Sequence, residues 1–126
     1  MTEYQKRYYQ EHREEIRIRS KLHYDSDPIF REHRKLRTKE HGKEIKIEVL
    51  THYGRGKLAC VSCGEHRVAC LSIDHINGNG RQDRKAHGAE TGGWVFYNAL
   101  RRAGFPEGYQ TLCMNCQWIK RVEKKE

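Results

Sequence analysis

Long hydrophobic runs are missing from this chain of 126 residues: 36% of them are hydrophobic, and the mean hydropathy is -1.02. No stretch approaches the roughly 20 apolar residues that a membrane-spanning helix needs. The opening MTEYQKRYYQEHREE is too polar and too acidic for a secretory signal. An intracellular protein with no membrane partner is therefore expected. Proline is scarce, with 2 residues, and the first half of the chain, residues 1–50, holds no cysteine and a single glycine. Such a stretch suits exposed helices better than a packed domain. The modest apolar content leaves a small core that needs help from elsewhere.

Positive charge is what the chain has in excess. Lys and Arg number 25 against 17 Asp and Glu, for a net charge of +8 and a pI near 9.4. A chain this basic usually meets a polyanion, most often nucleic acid. There are 5 cysteines, an odd count that argues, in a reducing compartment, against a disulfide framework and for metal ligation with one thiol to spare. All of them fall within residues 51–126, together with nearly all the glycine, so the chemistry is expected there.

The N-terminal half divides at DSDP, where Asp27 can cap a helix that has Pro28 at its first position. One helix is expected from about Glu3 to Leu22 and a second from Pro28, ending where Gly54 stands at a C-terminal cap. Ile45, Val49, Leu50 and Tyr53 share one face of the second helix. EIKIEVL within it also alternates as a strand does, which leaves a competing reading. YQEHR from Tyr9 is echoed by FREHR from Phe30. Residues 1–50 read either as solvated helices with charged faces or as a basic arm lying along a nucleic-acid backbone.

Two CxxC knuckles follow, Cys60 with Cys63 and Cys113 with Cys116. Two such pairs supply four thiolates for a tetrahedral Zn²⁺, and a site closed by four cysteines is structural. In a small polar chain the metal would replace much of the missing core. A redox dithiol is the competing reading. Cys70 lies in VACLSID and reads as a small buried side chain rather than a fifth ligand.

Between the knuckles stands LSIDHINGNG. Val68 to Ile73 fits a strand, and Gly78 and Gly80 let the chain turn sharply after His75. The plain reading of Asp74 and His75 is an Asx-type turn with an incidental surface histidine. Their setting favours another. The second knuckle runs directly into Gln117 and WIKRVEKK, a helix with Trp118 and Val122 on one side. A strand pair clipped to that helix by zinc would bring Asp74, His75 and Gln117 together. Asp74 and the Gln117 amide oxygen are hard donors suited to Mg²⁺ or Mn²⁺, and an imidazole exchanges protons near neutral pH.

CxxC, then IDHINGNG, then FPEGYQTLCMNCQWIK, a span from about Val49 to Lys120, resembles the zinc-ribbon HNH endonucleases of bacteriophages. The resemblance implies an α+β fold: a ββα-metal (HNH) module in residues 51–126, stapled by the four-cysteine zinc, behind a helical basic arm in residues 1–50. It also implies a β-hairpin and helix clasping one divalent metal beside the scissile phosphate, with Asp74 as ligand and His75 as general base. Gln117 falls where the motif carries His or Asn. The middle Asn of the motif falls near Gly108, and Asn77, Asn79 and Asn115 are candidates for its orienting role. The implied activity is metal-dependent hydrolysis of double-stranded DNA in a phage-infected bacterial cytoplasm. One site cuts one strand, so a monomer would nick, while a double-strand break needs two sites or a weak homodimer. A zinc-ribbon DNA-binding protein without catalysis is the alternative, and RNA is a further candidate substrate.

Basic residues near the motif are candidate phosphate contacts: Arg81, Arg84 and Lys85 after the turn, and Lys120 and Arg121 one helical turn beyond Gln117. WVFYNALRRAGFPEG predicts an amphipathic helix from Trp94 to Ala103, with Phe96, Leu100 and Phe105 packing and Arg101 and Arg102 outward. His52, His66 and His87 have no ligand spacing and read as surface residues.

Overall fold

The computed structural model describes residues 1–88 and 93–125. The chain divides into two compact units, Met1–Glu40 and His41–Glu126. That boundary falls earlier than composition suggested, because Ile45, Val49, Leu50 and Tyr53 are buried in the core of the second unit.

The first unit is helical. Helix α1, Glu3–Glu11, begins at a capping box in which Thr2 and Gln5 satisfy each other's backbone N–H groups. Helix α2 covers Arg13–Ser26. The single helix expected here is therefore interrupted. At the break, the His12 ring lies 2.9 Å from the Tyr8 carbonyl and stacks on the Tyr8 ring at 4.1 Å. It competes there with the helical hydrogen bond to that carbonyl. Helix α3, Pro28–Tyr53, starts at Asp27, whose carboxylate accepts the Phe30 N–H at 3.0 Å, as the DSDP signal predicts. No side chain of α1 or α2 is buried, and exposed pairs such as Lys6–Glu3 and Lys21–Asp25 run along them. Pairs of this kind add only about 0.3–0.5 kcal/mol each.

The second unit opens with the C-terminal part of α3. EIKIEVL is helical, which puts Ile45, Val49 and Tyr53 on one face against Phe96 and Leu100 of helix α5, Trp94–Arg102. Leu50 points to a second cluster with Cys60, Leu71, Leu112 and Cys113. Ile73 and Tyr97 pack against both clusters and join them. Strands β1, Leu71–His75, and β2, Tyr109–Cys113, form an antiparallel pair in which Leu71 faces Cys113 and His75 faces Tyr109. Helix α6, Met114–Lys124, leaves β2 directly, with the Cys113 sulfur accepting the Cys116 N–H at its first turn. The strand expected over Val68–Ile73 is displaced: Val68–Cys70 form a 3-10 turn, and Cys70 is half-buried. Pairing has to begin at Leu71 because its partner strand ends at Cys113, where α6 starts. The segment after the Asn/Gly turn is helix α4, Gly80–Ala86.

The end of α3 depends on one glycine. A Cβ on Gly54 would sit 1.9 Å from the Lys57 carbonyl oxygen and 2.8 Å from that of Leu50. Both contacts are backbone, so neither neighbour can swing away. Gly54→Ala is expected to cost at least about 1–3 kcal/mol of stability, as overpacking does, read as a lower thermal midpoint with zinc bound. The left-handed residues that reverse the chain come just after it, Arg55 and Gly56.

Candidate functional site

The cysteine knuckles converge. The sulfur atoms of Cys60, Cys63, Cys113 and Cys116 all lie within 4.8 Å of one another, and Cys63 and Cys113 approach to 3.6 Å. A tetrahedron with Zn–S bonds of about 2.3 Å has edges of roughly 3.8 Å, so the set fits a structural metal such as zinc. Cys70 stands outside it. Burial pushes the Cys60 thiol up, but the backbone amides of Cys113, Cys63 and Ser62 outweigh burial and bring it down to about 6. Burial instead dominates at Cys116, which is raised to about 12. Four thiols this close cannot all ionise without a cation between them.

Where β1 ends, a cleft of about 350 Å³ opens, lined by Ile73, Asp74, His75, Gly78, Gly80, Arg81, Arg84, Gln117 and Arg121. The strand end, the helix that follows its turn and the helix after the second knuckle thus contribute to one concave surface. Lys85 is exposed on α4 and is not among the lining residues. Arg121 lines the cleft and also lies 5.6 Å over the exposed Trp118 ring.

Lys120 is placed differently from the outward phosphate contact expected of it. Its ammonium lies 3.1 Å from Asp74 Oδ2 and donates to the His75 carbonyl at 2.8 Å, with both side chains of the ion pair nearly buried. The Gln110 amide also donates to Asp74, at 2.8 Å. Asp74 is therefore an anchored carboxylate. Gln117 donates its amide nitrogen to Ser72 Oγ and to the Leu112 carbonyl, the latter at 3.2 Å. This ties α6 to both strands.

His75 is 9% exposed, stacked on Phe96 and edge-on to Tyr109. Its Nε2 lies 3.1 Å from Asp83 Oδ2, and the Tyr109 hydroxyl donates to that same oxygen. His87, expected at the surface, is half-buried beside Asp83, with Nδ1 2.9 Å from its backbone carbonyl. His52 is exposed and stacks on Phe105, and His66 is exposed. Among the described residues, none of Asn77, Asn79 and Asn115 hydrogen-bonds His75; Asp83 does. Asp83 escaped notice in the sequence because RQDRK reads as solvated charge. The one available signal was its spacing, four residues before His87 on a helix.

Tyr109 and Tyr53 both lie within the influence of the Asp83 carboxylate. Burial, and then the neighbouring Asp83, raise the Tyr109 hydroxyl above the ordinary tyrosine range. The same two causes push Tyr53 up to about 12. Both phenols stay protonated, so Tyr109 is a donor.

The fold and site together define a mixed α+β chain carrying a four-cysteine cluster able to hold a metal, and a cleft lined by three arginines. No protein-family model, curated protein or solved structure matches the chain. Among the described residues, no helix is long and apolar enough to cross a membrane.

Proposed function

We propose that the chain is a divalent-metal-dependent DNA endonuclease of the HNH kind, hydrolysing phosphodiester bonds one strand per site. One observation carries this reading: Asp74, His75 and Gln117 line the same cleft as Arg81, Arg84 and Arg121. Three guanidinium groups around a concave surface suit a phosphate backbone. The oxygens of Asp74 and Gln117 would hold a hard cation such as Mg²⁺ or Mn²⁺. Bound there, the cation would supply positive charge against the negative charge that develops on the phosphate and the leaving oxygen. His75 would accept a proton from the attacking water. The arginines would grip non-bridging phosphate oxygens and orient the ester, while Gln110 and Lys120 keep the Asp74 carboxylate in place. The four-cysteine zinc would serve only to tie the Cys60–Cys63 knuckle to the junction of β2 and α6.

A second reading has an observation in its favour. Lys120 already neutralises Asp74, which suits a zinc-ribbon DNA-binding protein without catalysis. Relaxation of supercoiled plasmid in Mg²⁺ or Mn²⁺ separates the two: open-circular product supports the nuclease, and binding without relaxation supports the other.

Both readings need the cleft arginines on phosphate. Changing Arg81 and Arg84 to Ala together is expected to weaken binding of duplex DNA and to lower the slope of log K against log salt by about 2, near one for each arginine withdrawn from a phosphate. Fluorescence anisotropy across a salt series reads it. An unchanged slope would remove both residues from the interface.

A further inference from the structure

We infer that Asp83 is the positioning residue of the cleft: it holds the proton of His75 on Nε2, so that Nδ1 is the ring atom available to accept a proton. What each group is able to donate decides this. Asp83 Oδ2 accepts the Tyr109 hydroxyl and lies 3.1 Å from His75 Nε2. A carboxylate oxygen is an acceptor, so a hydrogen bond at that distance requires the proton to sit on Nε2. The neutral ring then carries a bare lone pair on Nδ1. Tyr109 stays protonated and keeps donating, which prevents the arrangement from reversing. His87 braces the same aspartate: its Nδ1 faces the Asp83 carbonyl at 2.9 Å, so Nδ1 must be the donor there, and lies 3.4 Å from Oδ1.

The other edge of the His75 ring faces the cleft wall. A Cβ on Gly80 would come within 3.0 Å of His75 Nδ1, and Gly80 and His75 both line the cleft. The absence of a side chain at position 80 therefore leaves Nδ1 approachable. Phe96 stacked on the ring and Tyr109 against its edge prevent it from turning over. Asp83 thus meets the ring at Nε2 while Nδ1 lies on the Gly80 side, an arrangement in which the carboxylate fixes the tautomer without itself taking the proton.

The catalytic part of this inference rests on the nuclease reading, whereas the tautomer does not, and the experiment keeps them apart. In protein labelled with ¹⁵N-histidine, long-range ¹H–¹⁵N correlation spectra of the zinc-loaded chain, recorded where the ring is neutral, report which nitrogen of His75 bears the proton. The wild type is expected to show Nε2–H. Asp83→Asn replaces the obligate acceptor by an amide able to donate to Nε2, and is expected to move a substantial fraction of His75 to the Nδ1–H form. The same variant is expected to lose about 10²–10⁴-fold in plasmid nicking rate, with DNA affinity and zinc content unchanged. A wild-type Nδ1–H signal, which needs no variant to read, would overturn the assignment. So would a tautomer indifferent to Asp83→Asn, or a shifted tautomer with an undiminished nicking rate. A wild type that shows Nε2–H but never nicks would instead sink the nuclease reading.

Discussion

Cys60→Ser and Cys113→Ser are each expected to abolish zinc binding and the cooperative unfolding transition of the His41–Glu126 unit. Both residues sit in the core cluster with Leu50, Leu71 and Leu112, so the metal ligands and the apolar core are the same place in the molecule. That core is small. Among the described residues six large side chains are fully buried, and one of them, Thr111, uses its hydroxyl to hold the Leu50 carbonyl at 2.7 Å. Zinc binding at such sites contributes on the order of 10 kcal/mol at neutral pH, more than a domain of this size has to spare. Cys63 separates ligation from packing, because it is exposed and lies outside the apolar cluster. Cys63→Ser is expected to lower the thermal midpoint as well, although it removes no side chain of the apolar cluster. Zinc measured by colorimetric release and thermal unfolding followed by circular dichroism check all three variants. A Cys63→Ser protein that keeps the wild-type midpoint would show that packing, not metal, sustains the unit.

If the chain is the proposed nuclease, His75→Ala is expected to lower DNA nicking by about 10²–10⁴-fold, the usual worth of a general base. Asp74 is the more obvious target, but its carboxylate is half of a nearly buried ion pair with Lys120. Removing it deletes one half of that pair and the acceptor of the Gln110 amide, so any loss of activity would be confounded with lost stability. His75 is cleaner, though not free of structural consequence. Its ring stacks on Phe96 at 5.5 Å and meets Tyr109 at 5.1 Å, so its deletion leaves a cavity and lowers stability by about 2–5 kcal/mol. His75→Gln fills more of that space and gives up the imidazole all the same. Both variants are expected to keep zinc and duplex affinity at a temperature well below their midpoints while failing to cut. If His75→Gln nicks at the wild-type rate, His75 is not the base.

Much of the ligand chemistry was legible in the sequence because it depends on spacing alone. The two CxxC pairs predict a cluster, and the four sulfurs do converge. Asp27 with Pro28 predicts a helix start, and the Asp27 carboxylate caps it. The α3 face of Ile45, Val49, Leu50 and Tyr53 follows from helical periodicity and is buried as that periodicity requires. What the sequence hid are features decided between elements distant in the chain. Lys120 looked like an exposed phosphate contact because its neighbours on the helix are basic; only the approach of β1 to α6 turns it onto Asp74. Asp83 looked like one more surface charge in RQDRK, and its place beside His75 arises because α4 folds back across the strand end to meet Tyr109. The strand start shifted for a similar reason. Alternation in VACLSID allows pairing from Val68, but the partner strand runs out at Cys113, and no inspection of VACLSID alone reveals that.

The most direct test of the whole account is one nicking assay: zinc-loaded wild-type protein and His75→Gln, matched for zinc content and duplex affinity, incubated with supercoiled plasmid across a titration of Mg²⁺ and Mn²⁺. The account predicts open-circular DNA accumulating with metal for the wild type and not for the variant. Supercoiled DNA that stays intact with the wild type at every metal concentration, while the protein still binds it, would contradict the account and leave a zinc-bearing DNA-binding protein in its stead.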